Sequence, residues 1–97
     1  MTLRQIKRLV RNGRYDYSSK VRIYIENNFY TPEDLKACIL SSTRIYKVEV
    51  DELGNSVDGC KYTIYGNDTN GYLFYTCGKV LRDEKGNFYF FITAHEP

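Results

Sequence analysis

The chain of 97 residues has the length of one domain, and we expect residues 1–97 to fold as a single domain with a modest core. It has no apolar run of about 18 residues, so the sequence predicts no membrane-spanning helix. No signal peptide is visible either. The formal net charge is +2. The three cysteines lack metal-ligand spacing, so we expect buried free thiols, a reducing cytoplasm, and neither a metal nor another cofactor.

Two short helices are predicted in the first 30 residues. The first is amphipathic and basic, and its apolar side contains Leu3, Ile6, Leu9 and Val10. It ends at Asn12-Gly13, where glycine can adopt the left-handed conformation of a helix cap. The second begins at Ser18 or Ser19, which can cap it, and reaches about Asn28. Its buried stripe is expected to contain Val21, Ile25 and Phe29.

The third helix has the clearest start signals. Thr31 suits the N-cap, Pro32 suits the first helical position, and Asp34 completes a pattern like a capping box. The helix is expected to end at Ser41-Ser42, and its buried side to contain Leu35, Cys38 and Ile39.

Four strands are predicted in the second half. Residues 43–50 alternate between apolar and charged side chains, as in a half-buried strand that faces the core through Tyr46, Val48 and Val50. A polar loop at 51–59 precedes strands at about 60–66, 72–79 and 88–95, whose Asn-Gly and Gly-Asn turns are typical of β-hairpins. The last strand is apolar on both faces, which predicts either a central position in the sheet or cover on both sides.

The order of these elements, with helices before strands, indicates an α+β domain. We expect three N-terminal helices packed on one face of a four-stranded antiparallel sheet. A parallel strand pair, or a helix after residue 60, would contradict this arrangement.

Positive charge is concentrated near the N-terminus, because five basic residues precede the first acidic residue, Asp16. A basic helix face can meet the phosphates of RNA, an acidic protein, or only solvent. The candidate RNA-binding residues are Arg4, Lys7, Arg8, Arg11, Arg14 and Arg22. The patch extends further if the fold gathers Lys20, Arg44, Lys61, Lys79 and Arg82.

No motif in the sequence specifies a reaction by itself. His95 is the only histidine and the natural candidate for proton transfer near neutral pH. Strand alternation predicts that it shares a face with Tyr89, Phe91 and Thr93. The acidic pairs Asp51-Glu52 and Asp83-Glu84 are expected to be solvated in turns.

The ten tyrosines offer rings on which single-stranded bases can stack, although tyrosines on sheets are usually structural. An exposed tyrosine beside an Arg or Lys would distinguish the two roles. The sequence places such pairs at Tyr24 with Lys20 and Arg22, and at Tyr46 with Arg44.

Residues 61–76 read Lys-Tyr-Thr-Ile-Tyr-Gly-Asn-Asp-Thr-Asn-Gly-Tyr-Leu-Phe-Tyr-Thr, and residues 90–97 read Phe-Phe-Ile-Thr-Ala-His-Glu-Pro. Together with Thr31–Leu35, this pattern resembles BrnT-like proteins and their relatives in the RelE-type toxin superfamily. The segment Leu3–Val10, followed by Asn12-Gly13, is also similar to the opening of MqsR-type toxins.

This resemblance implies a ribosome-dependent or free endoribonuclease, held inactive by a cognate antitoxin protein in the bacterial cytoplasm. The reaction is attack of a 2′-hydroxyl on the adjacent phosphate, which needs a base, an acid and cations but no metal. The expected catalytic residues are Lys20, Tyr24, Arg44 and His95. The family often has a His and spaced Arg residues on the helix before the Thr-capped one, where this chain has Lys20, Tyr24 and Asn28.

Two other functions fit the same residues. One is a non-catalytic module that binds RNA or a protein through the basic helix and the tyrosine-bearing sheet. The other is a relative whose sheet edge or helices serve only assembly. None of the three involves a membrane.

Overall fold

The computed structural model describes residues 1–97 and contains three helices where the sequence predicted them. Helix α1 (Leu3–Arg11) is capped by Thr2, α2 (Ser19–Glu26) by Ser18, and α3 (Pro32–Ser41) by Thr31. The predicted capping box at the start of α3 is confirmed, because Thr31 and Asp34 each bond to the backbone N–H of the other. No helix has the length and apolar character needed to span a bilayer.

The sheet has five strands rather than four, in the order β1-β5-β4-β3-β2. The strands are β1 (Tyr15–Tyr17), β2 (Lys47–Val50), β3 (Cys60–Asn67), β4 (Leu73–Asp83) and β5 (Gly86–His95). Strands β2 to β5 form an antiparallel meander, and β5 lies between two other strands. The prediction of a purely antiparallel sheet is wrong, because β1 pairs with β5 in parallel. The α+β class is confirmed.

Strand β1 depends on contacts with distant parts of the chain. Its three residues pair with Tyr89–Phe91, and the N–H of Ser18 donates to the carbonyl of Phe91. Just before the strand, the Arg14 guanidinium donates to Asp83 at 2.8 Å and to the carbonyls of Gly86 and Asn87. The β4–β5 turn therefore fixes where the chain runs after α1.

All three helices pack on one face of the sheet, here called the covered face. The buried cluster joins Ile6, Val10, Val21, Leu35, Cys38 and Ile39 of the helices to Tyr62, Ile64, Phe74, Val80, Tyr89, Phe91 and Ala94 of the strands. Burial of free thiols is confirmed at Cys38 and Cys77, whereas Cys60 is only partly buried. Phe29 was predicted to join this core but is 69% exposed.

A β-bulge in β5 changes the face on which its last residues lie. Gly78 pairs with Phe91 while Cys77 pairs with Thr93, so Ile92 is an extra residue on β5. Residues after Ile92 are shifted by one position in the alternation. His95 therefore lies opposite Tyr75, on the face away from the helices, and not on the face of Tyr89 and Phe91 as predicted.

Two charged side chains, Asp51 and Lys79, are buried together, although the sequence predicted that Asp51 would be solvated. The Lys79 ammonium donates to Asp51 at 3.2 Å and to Asn55 at 2.6 Å, beneath the loop 51–59. Both charged side chains are 4% exposed. The prediction of a solvated Asp51 is wrong, because the loop folds back over β4, where the N–H of Val57 donates to the carbonyl of Val80.

Candidate nucleic-acid interface

Four aromatic rings form a continuous row across the face of the sheet opposite the helices, here called the open face. Tyr46 and Tyr65 have ring centroids 4.9 Å apart, and Tyr65 and Tyr75 are 5.3 Å apart, both in edge-on geometry. Tyr75 and His95 are stacked with centroids 4.5 Å apart. We call Tyr46, Tyr65, Tyr75 and His95 the aromatic row.

Register between the strands places three members of the aromatic row, whereas Tyr46 lies just before β2. Tyr65 of β3 lies directly opposite Tyr75 of β4, which lies opposite His95 of β5. The turn between β3 and β4 sets the first of these pairings, because the Asp68 carboxylate accepts from the N–H groups of Asn70 and Tyr72. The bulge in β5 sets the second, since without it His95 would face the core.

The same hairpin is tied to helix α3 through Asp34. Its carboxylate accepts from the Thr69 hydroxyl at 2.7 Å and from the Thr69 N–H at 3.0 Å. Burial alone would raise the pKa of Asp34, but the hydrogen bonds from Thr69 and Thr31 outweigh it and lower the pKa. The turn that positions Tyr65 and Tyr75 is thus anchored to a rigid element.

One end of the aromatic row carries the positive charge of Arg44. The guanidinium lies over the Tyr46 ring, 6.0 Å from its centroid. Tyr46 is 57% exposed, and its N–H donates to the carbonyl of Thr63. A cleft of about 330 Å³ is lined here by Thr43, Arg44, Tyr46, Tyr65 and Leu73. Of the two predicted places for an exposed tyrosine beside a basic residue, Tyr46 with Arg44 is found, whereas Arg22 lies over Tyr17 and not over Tyr24.

The other end of the row opens into a smaller cavity of about 180 Å³, lined by Tyr24, Phe29, Tyr30, His95 and Glu96. The Tyr24 ring stacks on Tyr30 and meets Phe29 edge-on, so aromatic groups form most of the wall. Burial raises the pKa of Tyr30 to about 12, which keeps its hydroxyl neutral.

The four predicted catalytic residues do not meet at one point. His95 and Tyr24 line the same cavity. Arg44 lies at the opposite end of the aromatic row, beyond the rings of Tyr65 and Tyr75. Lys20 is exposed on α2, one helical turn before Tyr24, and is not part of the cavity wall. Their catalytic roles stay predictions.

The predicted RNA-binding residues divide into free and engaged groups. Arg4, Arg8 and Arg11 are exposed on α1 and make no ion pair, while the Lys7 ammonium donates to the Ser42 carbonyl at 2.6 Å. Arg14 is held by Asp83, and the Arg22 guanidinium lies 5.1 Å from the centroid of Tyr17. Since Ile6 and Val10 turn α1 toward the core, its basic side chains point away from the aromatic row.

Few other charges surround the row on the open face. Lys47 and Glu49 of β2 lie on this face 3.6 Å apart, and Lys61 lies opposite Glu49 on β3. Lys79, considered above as part of a basic patch, is instead buried in its pair with Asp51. No group of three or more His, Cys, Asp or Glu side chains is arranged to hold a metal ion.

Sequence reasoning missed Tyr65 and Tyr75 as members of the site. A partial signal was present, because the turn between two strands restricts which residues can pair across it. A turn confined to 68–71 would pair Tyr65 with Phe74, whereas the structure closes a three-residue loop at 69–71 by pairing Asp68 with Tyr72, and this register brings Tyr65 opposite Tyr75. The link to His95 could not be found this way, since it depends on the bulge at Ile92.

No family model, curated protein or solved structure matches this chain. The resemblance of residues 18–97 to RelE-type toxins stays a prediction.

Proposed function

We propose that this protein binds single-stranded RNA on the open face of its sheet, with bases stacked on the aromatic row. The observation that carries the proposal is the unbroken series of rings from Tyr46 to His95, with Arg44 at one end. Rings on an uncovered sheet are the usual platform for unpaired bases, because every base has a face that can stack.

The surroundings of the row suit a single strand better than a duplex. A duplex keeps its bases paired and presents its phosphates, whereas the row offers aromatic surface with one adjacent arginine. Arg44 can contact a phosphate, and the clefts at both ends of the row can receive a base that leaves the stack. Binding is expected to tolerate many sequences, since stacking distinguishes bases weakly.

The test is alanine substitution along the row, read by fluorescence anisotropy with a labelled single-stranded RNA at low salt. Tyr65→Ala and Tyr75→Ala should each weaken binding by roughly 5- to 150-fold, which corresponds to ~1–3 kcal/mol per stacked base. Tyr65→Phe should retain most of the affinity because it keeps the ring.

Tyr72→Ala is the matched control, because Tyr72 is 68% exposed in the same hairpin but lies outside the row. It should bind RNA like the wild type, and circular dichroism should show the same fold for all variants. Equal affinities of Tyr75→Ala and Tyr72→Ala would rule out the row. Failure of the wild type to bind single-stranded RNA at low salt would also rule it out.

A second candidate function is RNA cleavage by a toxin of a toxin–antitoxin pair, on the ribosome or on free RNA. The observation that favours it is the shared cavity of His95 and Tyr24, which brings a proton carrier and a phenol together at the end of the proposed RNA platform. His95 serves as acid or base, Tyr24 stacks on a base or shares a proton, and Lys20 and Arg44 balance phosphate charge.

Expression in bacteria tests this second function. The wild type should slow growth and cut RNA in the presence of ribosomes, and a cognate antitoxin protein should relieve both effects. His95→Ala should lower the cleavage rate by ~10²–10⁴-fold while retaining the fold. Normal growth together with intact RNA would rule out cleavage and leave RNA binding as the only proposed function.

A further inference from the structure

Strand β2 forms an outer edge of the sheet, and its only strand neighbour is β3. The sequence predicted that this strand would be half-buried, but Val48 is 56% exposed and Val50 is 74% exposed. Both valines lie on the covered face, where the helices pack on β3, β4 and β5. Leu53, just after the strand, is 83% exposed. The edge therefore presents uncovered apolar side chains.

The backbone of the same strand has free hydrogen-bonding groups. The N–H of Asp51 donates to the carbonyl of Gly59, and hydrogen-bonded pairs recur at every second residue in an antiparallel ladder. Counting back along the ladder gives Glu49–Lys61 and Lys47–Thr63 as hydrogen-bonded pairs. The N–H and C=O of Val48 and Val50 consequently point outward, away from β3.

We propose that β2 pairs antiparallel with β2 of a second copy of this chain, with Val48 opposite Val48 of the second copy on a two-fold axis. This register joins the outward N–H and C=O groups of the two Val48 residues in two hydrogen bonds. It also places Lys47 opposite Glu49 of the second copy, and Glu49 opposite Lys47. The strand is thus complementary to itself in charge, as a two-fold interface requires.

Other registers of the same pairing are disfavoured by charge. A shift of two residues in one direction places Lys47 opposite Lys47 of the second copy, and in the other direction it places Glu49 opposite Glu49. A shift of one residue removes the match between outward N–H and C=O groups. Charges on a short edge strand can instead protect it from pairing, and the experiment distinguishes that role.

The interface is small because β2 has four residues, so the dimer is expected to be weak and to depend on concentration. Sedimentation velocity over a wide concentration range should show a monomer–dimer equilibrium for the wild type. Lys47→Glu and Glu49→Lys should each weaken dimerisation by at least about tenfold, because each places like charges opposite one another at two symmetric positions.

An equimolar mixture of the Lys47→Glu and Glu49→Lys variants should recover the dimer, since Glu and Lys again face each other across the axis. The double variant K47E/E49K should also dimerise. Val48→Pro should abolish the dimer with little effect on the fold, because the N–H of Val48 points outward and makes no bond to β3.

A wild type that stays monomeric at every concentration overturns the proposal. A dimer that persists in Lys47→Glu and in Val48→Pro overturns the β2 register and assigns the contact to another surface. Circular dichroism on each variant separates loss of pairing from loss of fold. RNA binding by the monomer is a separate measurement, so this result is independent of the proposed function.

Discussion

The two faces of the sheet use the same residue type for different purposes. On the covered face, Tyr89 and Tyr62 are 0% and 2% exposed, and their rings fill the core beneath the helices. On the open face, Tyr65 and Tyr75 are only partly buried and touch one another across neighbouring strands. In β3, Tyr62 and Tyr65 are three residues apart and so fall on opposite faces.

Because of this difference, the residues of one strand divide into those on the covered face, which determine stability, and those on the open face, which are available for binding. Substitutions on the covered face must disturb packing, because Tyr89 and Phe91 are fully buried. Substitutions in the aromatic row remove exposed or partly exposed rings and leave the core intact. Large effects on stability are therefore expected from the covered face, and effects on binding from the open face.

The largest expected effect is at Gly66, which faces α3 on the covered face. An added Cβ would lie 2.7 Å from the carbonyl carbon of Cys38 and 2.9 Å from its Cα, so helix and strand would have to separate. Gly66→Ala should lower the free energy of unfolding by about 4 kcal/mol or more, measured by urea denaturation.

Gly54→Ala is the control for Gly66→Ala. Gly54 has a positive φ of 70° but open space around the position of an added Cβ, so only backbone strain is expected. Gly54→Ala should lower the free energy of unfolding by about 1 kcal/mol. Similar losses at the two glycines would show that α3 and β3 are not packed as closely as described.

The next effect concerns the buried pair of Lys79 and Asp51. Lys79→Met leaves the Asp51 carboxylate buried without its cation, and should lower the melting temperature by roughly 10 °C or more. The double variant Lys79→Met/Asp51→Asn removes both charges and should recover part of the loss. A double variant less stable than Lys79→Met would contradict this account.

The pH dependence of the pair follows from the pKa of Asp51. Burial opposes ionisation, but hydrogen bonds from Lys79 and Ser56 outweigh it and lower the pKa. The folded pKa is below the unfolded value, so the stabilisation is present above about pH 4 and lost as the pH falls further. As the pH is lowered below about 4, the melting temperature should fall less steeply for the double variant Lys79→Met/Asp51→Asn than for the wild type.

A third, smaller effect is expected at Tyr30, at the boundary between the core and the cavity of His95. Burial raises its pKa to about 12, so stabilisation by the neutral phenol is complete below about pH 10 and is lost as the pH rises through 12. The hydroxyl is buried without a hydrogen-bond partner, so Tyr30→Phe should cost little at neutral pH. At alkaline pH, the melting temperature should fall less for Tyr30→Phe than for the wild type. A larger fall for the variant would contradict this expectation.

The parts of the fold that were predictable from sequence have local causes. Thr31 and Asp34 cap α3 through bonds to residues three positions away, and Gly13 follows α1 with φ 74°. The hairpin turns were equally local. These features can be recognised because the residues that cause them are neighbours in the chain.

The parts that were not predictable depend on distant contacts. Tyr15–Tyr17 has no strand signal of its own and becomes β1 by pairing with β5. The bulge at Ile92 moves His95 to the open face. At the bulge, the hydroxyl of the N-cap residue Ser18 donates to the Ile92 carbonyl at 2.7 Å. His95 thus belongs to the aromatic row, and Arg44 lies at the other end of that row, for reasons that spacing along the chain does not contain.

The smallest effect distinguishes the two basic regions, Arg44 beside the aromatic row and Arg4, Arg8 and Arg11 on α1. If RNA lies on the row, Arg44→Gln removes one phosphate contact and should make the salt slope of the binding constant shallower by about 0.7. The triple variant of α1, with Gln at these three positions, should leave the slope unchanged, because α1 lies on the other side of the sheet. If RNA instead binds α1, the triple variant should change the slope by about 2 and Arg44→Gln by nothing. Anisotropy titrations at several salt concentrations give both slopes, and the second outcome would move the RNA site from the open face to the basic helix.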